Sequence, residues 1–135
     1  MAGFTPDEGE KLAQQVRYLR THADRDADLE LGLFTNVAPG EGITHAAITE
    51  PTGTGYARIT LTDGSWSIPA SVASYALQTF TGGAGGWTGS IQGYFVATKS
   101  AGGTKRLVHL EVDAAGPYTI AENDTYKVTL GDTAA

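Results

Sequence analysis

The chain has no cysteine, one methionine and only five prolines in 135 residues. The missing thiols exclude disulfides, thiolate-held metals, iron–sulfur clusters and cysteine nucleophiles together, and they leave the redox compartment unread. Charge is also scarce: 18% of residues are charged, with a net charge of -6. That sign argues against general affinity for nucleic acid or an anionic membrane surface. No apolar run approaches the roughly 20 residues of a membrane-spanning helix. Met1–Glu10 lacks the basic-then-apolar pattern of a secretory signal, so a soluble domain is expected. What the chain has in excess is glycine, with 18 residues, far above the usual frequency of about 7%. Apolar residues make up 41%, and a chain of this length can bury one core without covalent staples.

One segment reads as a helix. Thr5 and Pro6, with Glu8 three residues after Thr5, have the form of a capping box with proline at the first helical position. Asp7, Glu8 and Glu10 lie where the helix dipole favours negative charge, and Lys11, Arg17 and Arg20 lie toward the end that favours positive charge. Leu12, Val16 and Leu19 fall at i, i+4 and i+7 and form one apolar stripe. The spacing predicts a helix over about Pro6–Thr21, too short to be stable alone. Its stripe must therefore dock on its own sheet, a sister subunit or another protein.

From Leu29 the apolar period changes to two. Leu29, Leu31 and Leu33 alternate with Glu30, Gly32 and Phe34, so both faces are largely apolar and a central strand is expected. Arg58–Thr62, Leu107–Val112 and Tyr126–Leu130 alternate in the same way, while Ser71–Phe80 and Ser90–Thr98 are rich in β-branched and aromatic residues. Glycine-bearing turns separate these runs, among them Asp63-Gly64, Gly82-Gly83, Gly85-Gly86 and Gly102-Gly103. The pattern predicts a mainly β fold, an antiparallel β-sandwich or jelly-roll-like barrel of about eight strands. Residues 1–28 are expected to form an N-terminal α-helical arm, and residues 29–135 the β-sandwich domain.

Motifs that carry chemistry fail on inspection. Asp24, Asp26 and Asp28 match the first three ligand positions of a calcium loop, but Leu29 replaces the required glycine and Thr35 the bidentate glutamate. They read instead as a solvated connection between helix and strand. His22, His45 and His109 lack metal-ligand spacing, and His109 reads as a half-exposed strand residue. The glycine clusters around Thr54 and Ala84 lack the remaining positions of a phosphate loop, and Ser90 lacks a nucleophile-elbow frame. The chain therefore reads as non-enzymatic, with no cofactor and no metal. Trp87 stands apart because it closes the loop Thr81–Gly86. It is either a binding anchor or a plug folded back into the end of the sandwich, and the plug is the favoured reading.

Several segments in order carry a family resemblance: Leu31–Asn36, Ile48–Pro51, Gly55–Leu61, Ile91–Val96, and Gly116–Ile120 followed by Asn123–Val128. Over about residues 29–130 the chain resembles a family of small structural proteins encoded in tailed-bacteriophage genomes. The resemblance implies a virion component: a capsid cement or decoration protein, a head fibre or a tail-associated module. It implies the major capsid protein or other virion proteins as partners, a homo-oligomer (trimer or dimer), and a place on the phage head surface rather than the tail. On that reading the anchoring surface is expected at Leu12, Val16 and Leu19, with Trp87 as a further contact. The alternative is a tail-fibre or receptor-binding module whose carbohydrate platform uses Trp87, with Tyr75 or Tyr94 beside it.

Overall fold

The computed structural model describes residues 3–18, 24, 28–68, 72–99 and 103–133. A helix, α1 (Asp7–Tyr18), precedes eight strands: β1 (Leu29–Phe34), β2 (Thr52–Gly53), β3 (Ile59–Leu61), β4 (Val72–Thr81), β5 (Trp87–Thr88), β6 (Gly93–Thr98), β7 (Leu107–Val112) and β8 (Thr125–Thr133). All ladders are antiparallel. One sheet has the order β3-β1-β6-β7, while β4 and β8 form a separate ribbon and β2 and β5 a short third pair. The fold is β-sandwich-like, as the periodicity predicts, and the strands do not close into a barrel.

The expected central strand is β1, which pairs with β3 along one edge and with β6 along all six residues of the other. Its alternation divides the molecule into two cores. Leu31 and Leu33 face the ribbon and join Leu61, Tyr94, Val96, Phe80, Tyr126, Val128 and Leu130 in one cluster. Phe34 faces the other way, into a second cluster with Phe95, Ala97, Leu107 and Leu110. Each large side chain so buried contributes about 2 kcal/mol. Gly32 on the same face is required by contact: a Cβ there would run into the ring of Phe95, which is itself fully buried.

The second cluster is covered by the N-terminal segment. Phe4 and Leu110 exchange both backbone hydrogen bonds, at 2.8 and 2.9 Å, so the outer edge of β7 is capped at that point. The helix packs over β7 with Leu12 inward, 3% exposed. Its start differs from the capping-box expectation. Glu8 does not turn back on its own helix; its Oε1 accepts from the backbone N–H of His45 (2.7 Å) and of Leu107 (2.8 Å). The Asp7 N–H is satisfied by the Glu41 carbonyl at 2.9 Å. A carboxylate at this position thus pins the helix, the loop after β1 and β7 together. The predicted last turn, residues 19–21, lies outside the described residues.

Candidate functional site

The structure distributes the expected anchoring residues rather than gathering them. Leu12 is buried against the chain's own sheet and is no partner surface, whereas Val16 is 45% exposed. Leu19 lies outside the described residues. Residues four apart on a helix differ by about 40° around its axis, so Val16 is turned from the direction in which Leu12 is buried.

Trp87 follows the plug reading. It is 6% exposed, its Nε1 donates to the Thr54 carbonyl at 2.9 Å, and its ring meets Tyr56 edge-on at 5.3 Å. The preceding Gly85 and Gly86 have φ of 82° and 69°, left-handed values that only glycine adopts at little cost. That reversal turns the indole back into the core and removes it as a stacking platform.

The connection after the helix is not simply solvated. Asp24 is 7% exposed; its carboxylate pairs with Arg106 Nε at 2.5 Å and accepts the Thr104 N–H at 2.7 Å. Asp28 accepts the Asp63 N–H at 2.9 Å. His109 is also more buried than its alternation implies, at 9% exposure. Neither of its ring nitrogens has a hydrogen-bond partner, and Nε2 stands 3.5 Å from the Glu111 carboxylate.

The densest polar cluster was not apparent as a unit from the sequence. Its hub is Arg58, at the start of β3. The guanidinium grips Glu50 through two bonds of 2.9 and 2.8 Å, reaches Glu30 at 2.5 Å and lies 5.0 Å over the Phe95 ring. Lys105 adds a second contact to Glu30 at 3.0 Å, and the Tyr56 hydroxyl donates to Glu50 at 2.6 Å. Arg58 Nη1 is 2.8 Å from His45 Nε2. Arginine only donates, so this nitrogen accepts, and the imidazole is neutral with its proton on Nδ1. Burial and the adjacent Arg58 charge hold the His45 pKa below its ordinary value. Burial pushes the Glu50 carboxyl up, but the bonds from Arg58 and Tyr56 outweigh it and leave the group below its usual range. For Arg58 burial opposes the charge, and its bonds to Glu50 and Glu30 more than compensate, holding its pKa above the usual value. Burial and the bond to Glu50 raise Tyr56. One signal for this cluster was legible: Glu30 sits among leucines in a strand expected to be central, and a charge there demands a partner.

These groups hold one another and the loop that carries His45. Among the described residues no group of three or more histidine, aspartate or glutamate side chains is placed to hold a metal ion.

The accessible concave surface lies elsewhere, on the side where the sandwich stays open between β7 and β8. A cavity of about 370 Å³ is walled there by Leu29, Trp66, Val96, Val108 and Leu130, with Tyr94 at one end. Tyr94 also bounds a second hollow of about 340 Å³, bordered by Glu111, Asp113, Tyr126 and Val128. The Tyr126 hydroxyl donates to Asp113 at 2.9 Å and ties the ribbon to the end of β7; burial and this bond raise its pKa.

No protein family, curated protein or solved structure matches this chain. No helix among the described residues is long and apolar enough to cross a membrane.

Proposed function

We propose that the chain is a non-enzymatic structural protein of a tailed-bacteriophage particle, acting as a cement or decoration protein that bridges capsid subunits and stabilises the head. The observation that carries the reading is the contrast between the polar cluster and the open side of the sandwich. The groups best suited to chemistry, Arg58, Glu50, Glu30 and His45, bind one another. What faces outward is an unclosed sandwich edge with hollows beside it, the kind of surface through which proteins bind other proteins. The ordered motifs of the phage-family resemblance, from Leu31–Asn36 to Asn123–Val128, support the same reading.

A packaged genome presses outward on its shell, and a clamp across subunit boundaries opposes their separation. An interface of ordinary size, about 800 Å² per partner, holds such a clamp on a static lattice. A homo-oligomer gains further through avidity, because every copy engages the same repeat. The helical arm is engaged with its own sheet through Phe4, Glu8 and Leu12, so the bridging surface belongs to the sandwich. A carbohydrate-binding role loses Trp87 as a stacking ring, since that side chain is in the core. Cryo-electron microscopy of purified particles tests the proposal. Density for this chain at capsomer boundaries is the expected result, and density only on the tail refutes the cement role.

A further inference from the structure

We infer that the outer edge of β8 is an acceptor for an extended, apolar-and-basic segment of another polypeptide, which adds to the ribbon as a third strand and seats an apolar side chain in the cavity behind it. The inference deepens the structural role proposed above, and it requires from that role only that the partner is a protein.

β8 spans nine residues, Thr125–Thr133, and pairs with β4 along one side only. None of its backbone groups bonds to any other described segment. An antiparallel strand directs the N–H and C=O of alternate residues to each side, so one side of β8 keeps unpaired groups. Most strands have about five or six residues, and long open edges are usually covered, shortened or charged. The neighbouring edge is handled in that way, because Phe4 caps β7 at Leu110. On β8 the charged residues are Lys127 and Asp132.

The ground beside the open edge is already shaped. The two hollows meet at Tyr94 and run alongside β8 from Leu130 to Tyr126. The inner one is largely apolar, with Trp66, Val108 and Leu130 as walls and Asp63 and His109 as its charged or polar members, and it suits a large aliphatic or aromatic side chain projecting from an added strand. Strand addition works in this manner, with main-chain bonds supplying affinity and pockets for alternate side chains supplying choice.

Charge selects the occupant. Asp63 lies at the inner hollow, and Glu111 and Asp113 at the outer one, against Lys127 alone as a full cation. The Asp63 carboxylate has no hydrogen-bond or ion-pair partner among the described residues. A second copy of this chain carries a net charge of -6 and is disfavoured by repulsion, whereas lysine or arginine flanking an apolar residue fits.

The test uses the full-length protein and a synthetic peptide of alternating valine and lysine with a central leucine. Hydrogen–deuterium exchange is expected to slow in β8, and the same peptide with glutamate for lysine is expected to have no effect. Glu111→Lys is expected to weaken binding of the basic peptide about tenfold. The exposed substitution Lys127→Glu, which leaves the core untouched, is expected to tighten it about threefold. Absence of slowed exchange in β8, or equal binding by both variants and the parent, overturns the inference. So does concentration-dependent dimerisation that protects β8 without peptide, because the edge then belongs to a second copy. Peptide binding by a protein that is found only on tails would leave this inference standing and sink the cement role; the reverse pair of results would do the opposite.

Discussion

Arg58→Met isolates the contribution of the buried polar cluster. Methionine keeps an unbranched stem over Phe95 and removes every bond to Glu30, Glu50 and His45. The cost is dominated by Glu30, whose side chain is 7% exposed and keeps only Lys105 as a cation. Stranding a fully buried charge costs about 3–5 kcal/mol. The Arg58 and Glu50 side chains are 20% and 25% exposed, and partial solvation brings the expectation to about 2–3 kcal/mol. In a domain of this size that lowers Tm by about 10 °C. Urea unfolding is the assay, because an unchanged slope with a shifted midpoint separates lost stability from a changed native or denatured state. Adding Glu30→Gln to Arg58→Met removes the stranded charge and is expected to restore about 1 kcal/mol, a coupling that distant sites do not show. A cost below about 0.5 kcal/mol, or strictly additive effects of the two substitutions, refutes the view that Arg58 neutralises a buried carboxylate.

Stability should also fall with acid through His45. Its folded-state pKa lies below the usual 6.5, so the unfolded chain binds the proton more readily and stability is lost as pH falls from above 6.5 toward the lowered value, then levels. Tm measured between neutral pH and that window should decline less steeply in His45→Gln, and identical slopes would exclude His45 as the cause. Trp87→Ala is expected to cost about 3–5 kcal/mol by chemical denaturation without abolishing attachment in any way a stability-matched core variant does not; selective loss of glycan binding in a fully folded variant would contradict its role as a plug. Deleting residues 1–28 uncovers Phe34, Phe95, Leu107 and Leu110, so light scattering of the truncated protein should report aggregation. A monomeric, cooperatively folding product would show that the arm is dispensable to the core.

The open edge of β8 and the edge of β7 that Phe4 caps at Leu110 look alike in sequence, since both are alternating runs bounded by turns. Their difference depends on Phe4, more than a hundred residues from Leu110, and local pattern carries no information about such a pairing. The same holds for Glu8. Its position three residues after Thr5 satisfies a capping-box pattern, yet Glu8 instead accepts the backbone N–H groups of His45 and Leu107, part-buried donors that are costly to leave unpaired.

Alternation along the chain by itself determined that it is mainly β, that β1 is central with two apolar faces, and that one amphipathic helix precedes the strands. These follow from periods of two and 3.6 and from glycine at the turns, which are properties of neighbouring residues. Tertiary structure alone decided that the helix lies on its own sheet, that Arg58 gathers Glu30, Glu50 and His45, that Trp87 is a plug and that the outer edge of β8 has no partner strand among the described residues. Each of these depends on which distant surfaces meet, and that is set by the competition among burial, hydrogen bonding and charge across the whole chain.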